Sequence, residues 1–153
     1  MAKETTIPGL LLVRQYLKYA NFESKILPSD AVAKATSDAT VNIDVSVRAT
    51  NFQEDVYEVV VDILASSVAP NGRELFVLDI SYAGVFGVSN AQPEDLEMIL
   101  LIYCPGIIYP FAREAVYSLS VSGGFPPLML DLIDFSKLYY EQNEQKEAAK
   151  EKK

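Results

Sequence analysis

No histidine occurs among the 153 residues. Its absence removes the commonest general base and the commonest metal ligand, and with them every Ser-His or Cys-His nucleophilic pair. Any reaction run by this chain would rest on carboxylates, lysines or a bound cofactor. There is a single cysteine, Cys104, so no internal disulfide can form, and the opening Met-Ala-Lys-Glu-Thr-Thr lacks the apolar stretch of a secretion signal. A cytoplasmic location is the expectation. Long apolar runs are missing as well: the longest, Met98 to Tyr103, falls far short of the roughly 20 residues that cross a bilayer, so no membrane insertion is expected. Internal repeats are absent. Gly84-Val-Phe-Gly87 and Gly123-Gly124 lack the trailing Lys-Ser/Thr of a P-loop and the GxGxxG order, so they read as a strand bend and a helix stop instead of phosphate cradles.

Positive charge is also scarce, with 13 Lys and Arg against 21 Asp and Glu and a net charge of -8. The segment from Glu141 to Lys153 holds four acids and four bases and cancels, which leaves the whole excess on the body, Met1 to Tyr140. Such a surface repels phosphate backbones and argues against nucleic acid as a partner. A charged partner of the body should be basic and should bind less tightly as salt rises.

What is present is enough apolar material for one domain with a core: half the residues are hydrophobic. Residues 1–140 read as a single folded unit and 141–153 as a charged tail, mobile or a frayed helix. From Thr40 to Ala49, Val41, Ile43, Val45 and Val47 alternate with polar residues at the period of a half-buried strand. After a turn at Asn51 to Asp55 the alternation resumes from Val56 to Ala65, and the two runs should form an antiparallel hairpin. The Asn-Gly pair in Ala69-Pro-Asn-Gly72 marks the next turn, leading into a strand from Glu74 to Val88; Leu10 to Phe22 supplies a fourth. Gln92-Pro-Glu-Asp95 then opens a helix through Tyr103. Pro105 and Pro110 are expected to interrupt it, a second helix to run from Phe111 to the Gly123-Gly124 stop, and Asp134 to cap a last one through Leu138 and Tyr139. Strands followed by helices predict an α+β domain in which a four-stranded antiparallel sheet packs with C-terminal helices.

Two candidates for chemistry have simpler readings. Cys104 sits between Tyr103 and Pro105 with Arg113 as the only nearby cation in sequence; it is expected to be a small buried hydrophobe. The carboxylate pairs Glu54-Asp55, Glu94-Asp95 and Glu58/Asp62 fall in a turn, a first helical turn and a polar strand face, so neither catalysis nor a metal is assigned to them. More telling is the surplus of apolar surface. Both faces of the strand from Leu75 to Ala83 are apolar, and the Leu96 to Tyr103 helix is apolar nearly all round. More is on offer than one sheet and one helical layer can hide, which points to subunit association or a binding surface.

Four separated motifs occur in order: Asp55-Val-Tyr-Glu-Val-Val60, Ala83-Gly-Val-Phe86, Tyr103-Cys-Pro-Gly-Ile-Ile-Tyr-Pro-Phe-Ala-Arg-Glu114 and Gly124-Phe-Pro-Pro-Leu-Met-Leu130, with Asp134-Phe135 and Leu138-Tyr139 behind them. Together they closely resemble SecB, the bacterial protein-export chaperone family, over about Leu10 to Tyr140. The resemblance implies an ATP-independent chaperone without cofactor or metal, a homotetramer built as a dimer of dimers. It would bind unfolded preproteins and deliver them to the SecA motor. It also implies a client groove lined by Phe76, Leu78, Ile80 and Tyr82, and a SecA-contact surface at Glu23, Val77 and Asp79. One further acidic position of that surface falls on Tyr19, and the loop Ser24 to Ala39, which walls the groove in the family, holds no aromatic residue. The competing reading from the residues alone is a small-ligand domain or enzyme whose enclosed pocket uses the same strand, Phe76 to Tyr82.

Overall fold

The computed structural model describes residues 8–33 and 38–151. Four long strands, β1 (Gly9–Ser24), β2 (Thr40–Gln53), β3 (Val56–Val68) and β4 (Glu74–Ser89), form one antiparallel sheet in the order β1-β4-β3-β2. The helices are α1 (Pro28–Ala33), α2 (Pro93–Met98), α3 (Cys104–Ser122) and α4 (Phe135–Glu151), with a π-helical turn, Ile99–Tyr103, joining α2 to α3. This is the expected α+β architecture.

β2 and β3 pair as the predicted hairpin, but β2 runs on to Gln53 and the reversal is confined to Glu54-Asp55, where Asp55 takes a positive φ of 59°. At the next turn Gly72 adopts a φ of 87°, and Asn71 Oδ1 accepts a hydrogen bond from the Arg73 amide at 3.0 Å. β4 is therefore central, flanked by β3 on one side and β1 on the other. The segment between β1 and β2 carries α1, and the part of the Ser24 to Ala39 loop at residues 34–37 lies outside the described residues. Its entry is tied to the β3–β4 turn: Arg73 donates to the Asp30 carboxylate and to the Lys25 carbonyl, and Lys25 pairs with Glu74 at 2.8 Å. The Arg73 guanidinium, with the Leu27 amide beside it, holds the Asp30 carboxyl below the usual carboxylate range.

The core lies between the sheet and the helices. Val59, Val61, Ile63 and Ala65 of β3 and Phe76, Leu78, Ile80, Phe86 and Val88 of β4 pack against Leu100, Cys104, Ile108, Ala112 and Val116. Each fully buried Leu, Ile or Phe in this layer contributes about 1.5–3 kcal/mol. The inward residues recur every fourth position, Leu100, Cys104, Ile108, Ala112, Val116 and Ser120, which marks one long helix face.

The prolines do not break this helix. Pro93 to Ser122 is continuous, against the expected interruption, for reasons local to each ring. Pro105 stands in the first turn of α3, just after the π turn, whose wider winding is closed by the Cys104 amide donating to the Ile99 carbonyl; a proline here forfeits little, because the regular ladder is already shifted by one residue. Pro110 is carried inside α3, where its ring meets the carbonyl of Gly106, a residue with no side chain to crowd the bend. By length and composition the helix is long and apolar enough to cross a bilayer, and a third of its apolar window is buried in the protein. Gly123 and Gly124 do terminate it, with Gly124 at φ 84°. Asp134 caps α4 as expected, its Oδ1 accepting from the Ser136 and Lys137 amides. α4 continues to Glu151, so most of the charged 141–153 segment is helical.

Gly84 lets the Phe86 ring and Ile108 of α3 pack close against β4: a Cβ there would lie 2.7 Å from the Phe86 ring and 3.0 Å from Ile108. Gly84→Ala is expected to cost about 1–3 kcal/mol through forced displacement of α3, read as a lower midpoint in thermal or urea denaturation.

Candidate functional site

Strand periodicity divides β4 between two surfaces. Phe76, Leu78, Ile80, Tyr82 and Phe86 point to the helices, while Val77, Asp79, Ser81 and Val85 point to the opposite, outer face. The two sets of residues singled out in the sequence thus lie back to back on one strand.

On the helix side the four strand residues differ in access. Leu78 and Ile80 are fully enclosed. Phe76 is 3% exposed and belongs to an aromatic cluster, with its ring 5.4 Å from Phe22 and 4.6 Å from Phe125. Tyr82 is half-buried; its ring stacks on Phe111 at 6.2 Å, and its hydroxyl accepts from Gln15 Nε2 at 3.2 Å. Phe76, Leu78 and Ile80 are therefore covered, and Tyr82 alone of the four reaches the surface, beside Phe111. Phe22 and Phe125 were missed as site residues, since only the β1–β4 register and the chain reversal after Gly123-Gly124 bring them to Phe76. Exposed apolar side chains continue this surface: Leu17, Ile107 and Phe111 stand 46%, 41% and 48% exposed. Cavities of about 370 Å³ (around Tyr16, Phe52 and Glu58) and about 470 Å³ (between β2, α2 and α4) use none of the four strand residues.

The outer face mixes acids with apolar residues such as Val60, Leu64, Val77 and Val85. Glu23 lies directly opposite Val77, and Asn21 opposite Asp79, in the β1–β4 register. The next rows place Leu64 beside Asp79 and Asp44 beside Leu64. Glu23, Val77 and Asp79 are thus brought together, and Asp44 extends the acidic row; register alone reveals it. Among the described residues none of these three acids takes part in an ion pair. Tyr19 faces Ser81 in the adjoining row. Toward the other end of the face the acids are neutralised. Glu58 accepts from Lys18 at 2.6 Å and from the Tyr16 hydroxyl, which holds its carboxyl below the usual range, and Asp62 is held by Arg48 at 2.8 Å and by Ser81.

Cys104 is fully buried in the helix-sheet core, and desolvation pushes its thiol up to about 12. A thiol held neutral in this way is a poor nucleophile. Among the described residues no group of three or more Cys, Asp or Glu could hold a metal ion.

Comparison with known proteins follows this geometry. The family model described as preprotein translocase subunit SecB matches residues 3–146. Protein-export protein SecB of Nitrobacter winogradskyi is 38% identical over 144 residues, covering 94% of this chain and 89% of the relative. The protein of the same name from Magnetococcus marinus is 33% identical, with 96% and 92% covered. Among solved structures, the SecB-like chaperone of Mycobacterium tuberculosis, in complex with a ChAD peptide from the HigA1 antitoxin, superposes with a TM-score of 0.67 at 16% identity, covering 81% of this chain and 90% of that one; this likeness is one of fold.

The buried thiol has a direct test. Folded protein at pH 8 is expected to leave Cys104 unmodified by an aromatic disulfide reagent for hours, with one equivalent reacting within seconds after unfolding in guanidinium. Fast modification of the folded protein would contradict its placement.

Proposed function

The chain belongs to the SecB family of protein-export chaperones, and from that premise we propose that it captures unfolded secretory precursors, keeps them competent for translocation and passes them to the SecA motor. It does so in the cytoplasm as a homotetramer, by binding alone, without ATP or a cofactor. The observation that carries the reading is the segregation of the two faces of one sheet: an aromatic and aliphatic surface on the helix side, and unpaired acids on the other.

In this reading the client groove is floored by Phe76, Leu78, Ile80 and Tyr82. Client side chains enter beside Tyr82 and the exposed Phe111, while the packed Phe22-Phe76-Phe125 cluster backs the other end. Burial supplies about 25 cal/mol per Å² of apolar area whatever the side chain, so an extended segment is held with little sequence discrimination. Chains that fold fast withdraw their apolar segments before capture; slow folders do not. Glu23, Val77 and Asp79 form the SecA contact. Among the described residues the Glu23 and Asp79 carboxylates join no ion pair, so a basic partner gains their charge without displacing one and binds more tightly at low salt. Acidic Asp44, in the same rows, belongs to this contact too.

The reading is tested by aggregation of a chemically unfolded precursor. Stoichiometric protein should suppress light scattering and form an isolable complex that is resolved on adding SecA; unaltered aggregation sinks it. Asp79→Arg is expected to weaken SecA binding about tenfold or more at low salt while leaving assembly and client capture intact. Unchanged SecA affinity, measured by calorimetry or sedimentation, would remove Asp79 from the contact.

A further inference from the structure

The end of the outer sheet face farthest from the acids carries a second feature. The row through Val85 holds Arg14, Glu58 and Thr50, and a cleft of about 370 Å³ opens there between Tyr16, Phe52, Glu58 and Val85. At roughly 3.3 Å per residue, Val85 stands about 20 Å along β4 from Asp79. Phe52 is 73% exposed, and Leu11 and Val13 of β1, at the same end of the sheet, are 66% and 59% exposed. Apolar side chains gathered in this way mark a surface that binds something.

The exposure of Phe52 is built into the backbone. Phe52 is the extra residue of a β-bulge: the β2–β3 register steps from Asn51–Tyr57 to Gln53–Val56 and leaves it unpaired. The Asn51 side-chain amide holds the bulge, donating to the Gln53 carbonyl at 3.1 Å and to the Val56 carbonyl at 3.4 Å. Across the cleft the Tyr16 hydroxyl donates to Glu58, which orients the ring, and Lys18 pairs with the same carboxylate at 2.6 Å. The acid in the cleft is thereby neutralised, while Glu23, Asp44 and Asp79 join no ion pair among the described residues. One end of the face is charged and open; the other is apolar, electrically quiet and held in shape.

We propose that this cleft is an apolar anchor for the same partner that meets the acidic rows, and that it receives a bulky aromatic or aliphatic side chain of a basic polypeptide. The inference rests on the reading of the outer face as the SecA contact, and it adds to that contact a point of different chemistry. Charge and position select the occupant. The sheet itself stands between the cleft and a client held on the helix side. A ligand with cations alone finds no free carboxylate beside Phe52. A segment that presents cations to Asp79 and a large apolar side chain about 20 Å away satisfies both ends of one face. The acids then speed encounter and fade with salt, whereas the buried side chain slows release at any ionic strength.

Salt separates the two contributions. Phe52→Ser is expected to weaken SecA binding about tenfold at low salt and by the same factor at about 0.5 M salt, whereas Asp79→Arg acts mainly at low salt. Phe52→Leu keeps an apolar side chain at the rim and is expected to bind within about threefold of wild type. Because the ring is exposed, both Phe52 variants should keep wild-type circular dichroism, assembly mass and client capture. A Phe52→Ser protein that binds SecA like wild type at both salts overturns the anchor. So does a loss of assembly mass, which would make the cleft a contact between copies, or a loss of client capture with SecA binding unchanged. A wild-type protein that fails to bind SecA would sink the export reading and the anchor together, whereas wild-type binding indifferent to Phe52 sinks the anchor alone.

Discussion

Everything in this protein hangs on β4 being hydrogen-bonded along both edges and committed on both faces. A central strand cannot take up slack. Its alternate residues must fit under α3 on one side and line the outer face on the other, while β1 and β3 fix its register. The aromatic cluster at Phe76 is placed by this constraint, as is the packing of Ile108 over Gly84 and the alignment of Glu23 with Val77. On the outer face the rows through Val77 and Asp79 carry Glu23, Asn21, Leu64 and Asp44. Whatever binds there meets a surface whose shape is set by the backbone, and whose selectivity lies in the charges it carries.

The strands were legible because two-residue alternation is a local signal, clearest from Val41 to Val47 in β2. The strand order was harder to read, since nothing in Leu10 to Phe22 says that β1 crosses to the far side of β4. Phe22 and Asp44 consequently showed no sign of belonging to a site: one lies opposite Leu78, the other two strands away from Asp79. Access was hidden for a similar reason. Leu78 and Ile80 look like Phe76 and Tyr82 in a strand pattern, and only the packing of α3, Phe22 and Phe125 over β4 separates the three covered residues from Tyr82.

The helix shows where a reliable rule is outweighed. Proline normally stops a helix because it lacks an amide proton and crowds the preceding turn. Here Pro105 follows a turn already widened to π geometry, and Pro110 sits over a glycine. The inward line of residues at every fourth position binds the whole span to the sheet, and that packing outweighs the loss of two ladder bonds. Length follows from continuity. The result is a single helical span of 30 residues, Pro93 to Ser122.

The missing histidines and the deeply buried thiol have a joint consequence. Between about pH 5 and 8 the side chains that ordinarily change charge are histidines and activated cysteines; this chain has none of the first, and its one thiol is pushed up to about 12. The electrostatic character of the outer face is then nearly constant across the pH excursions a bacterial cell meets, while ionic strength acts on it directly. The protein is built to be tuned by ions and by its partners, and to ignore protons.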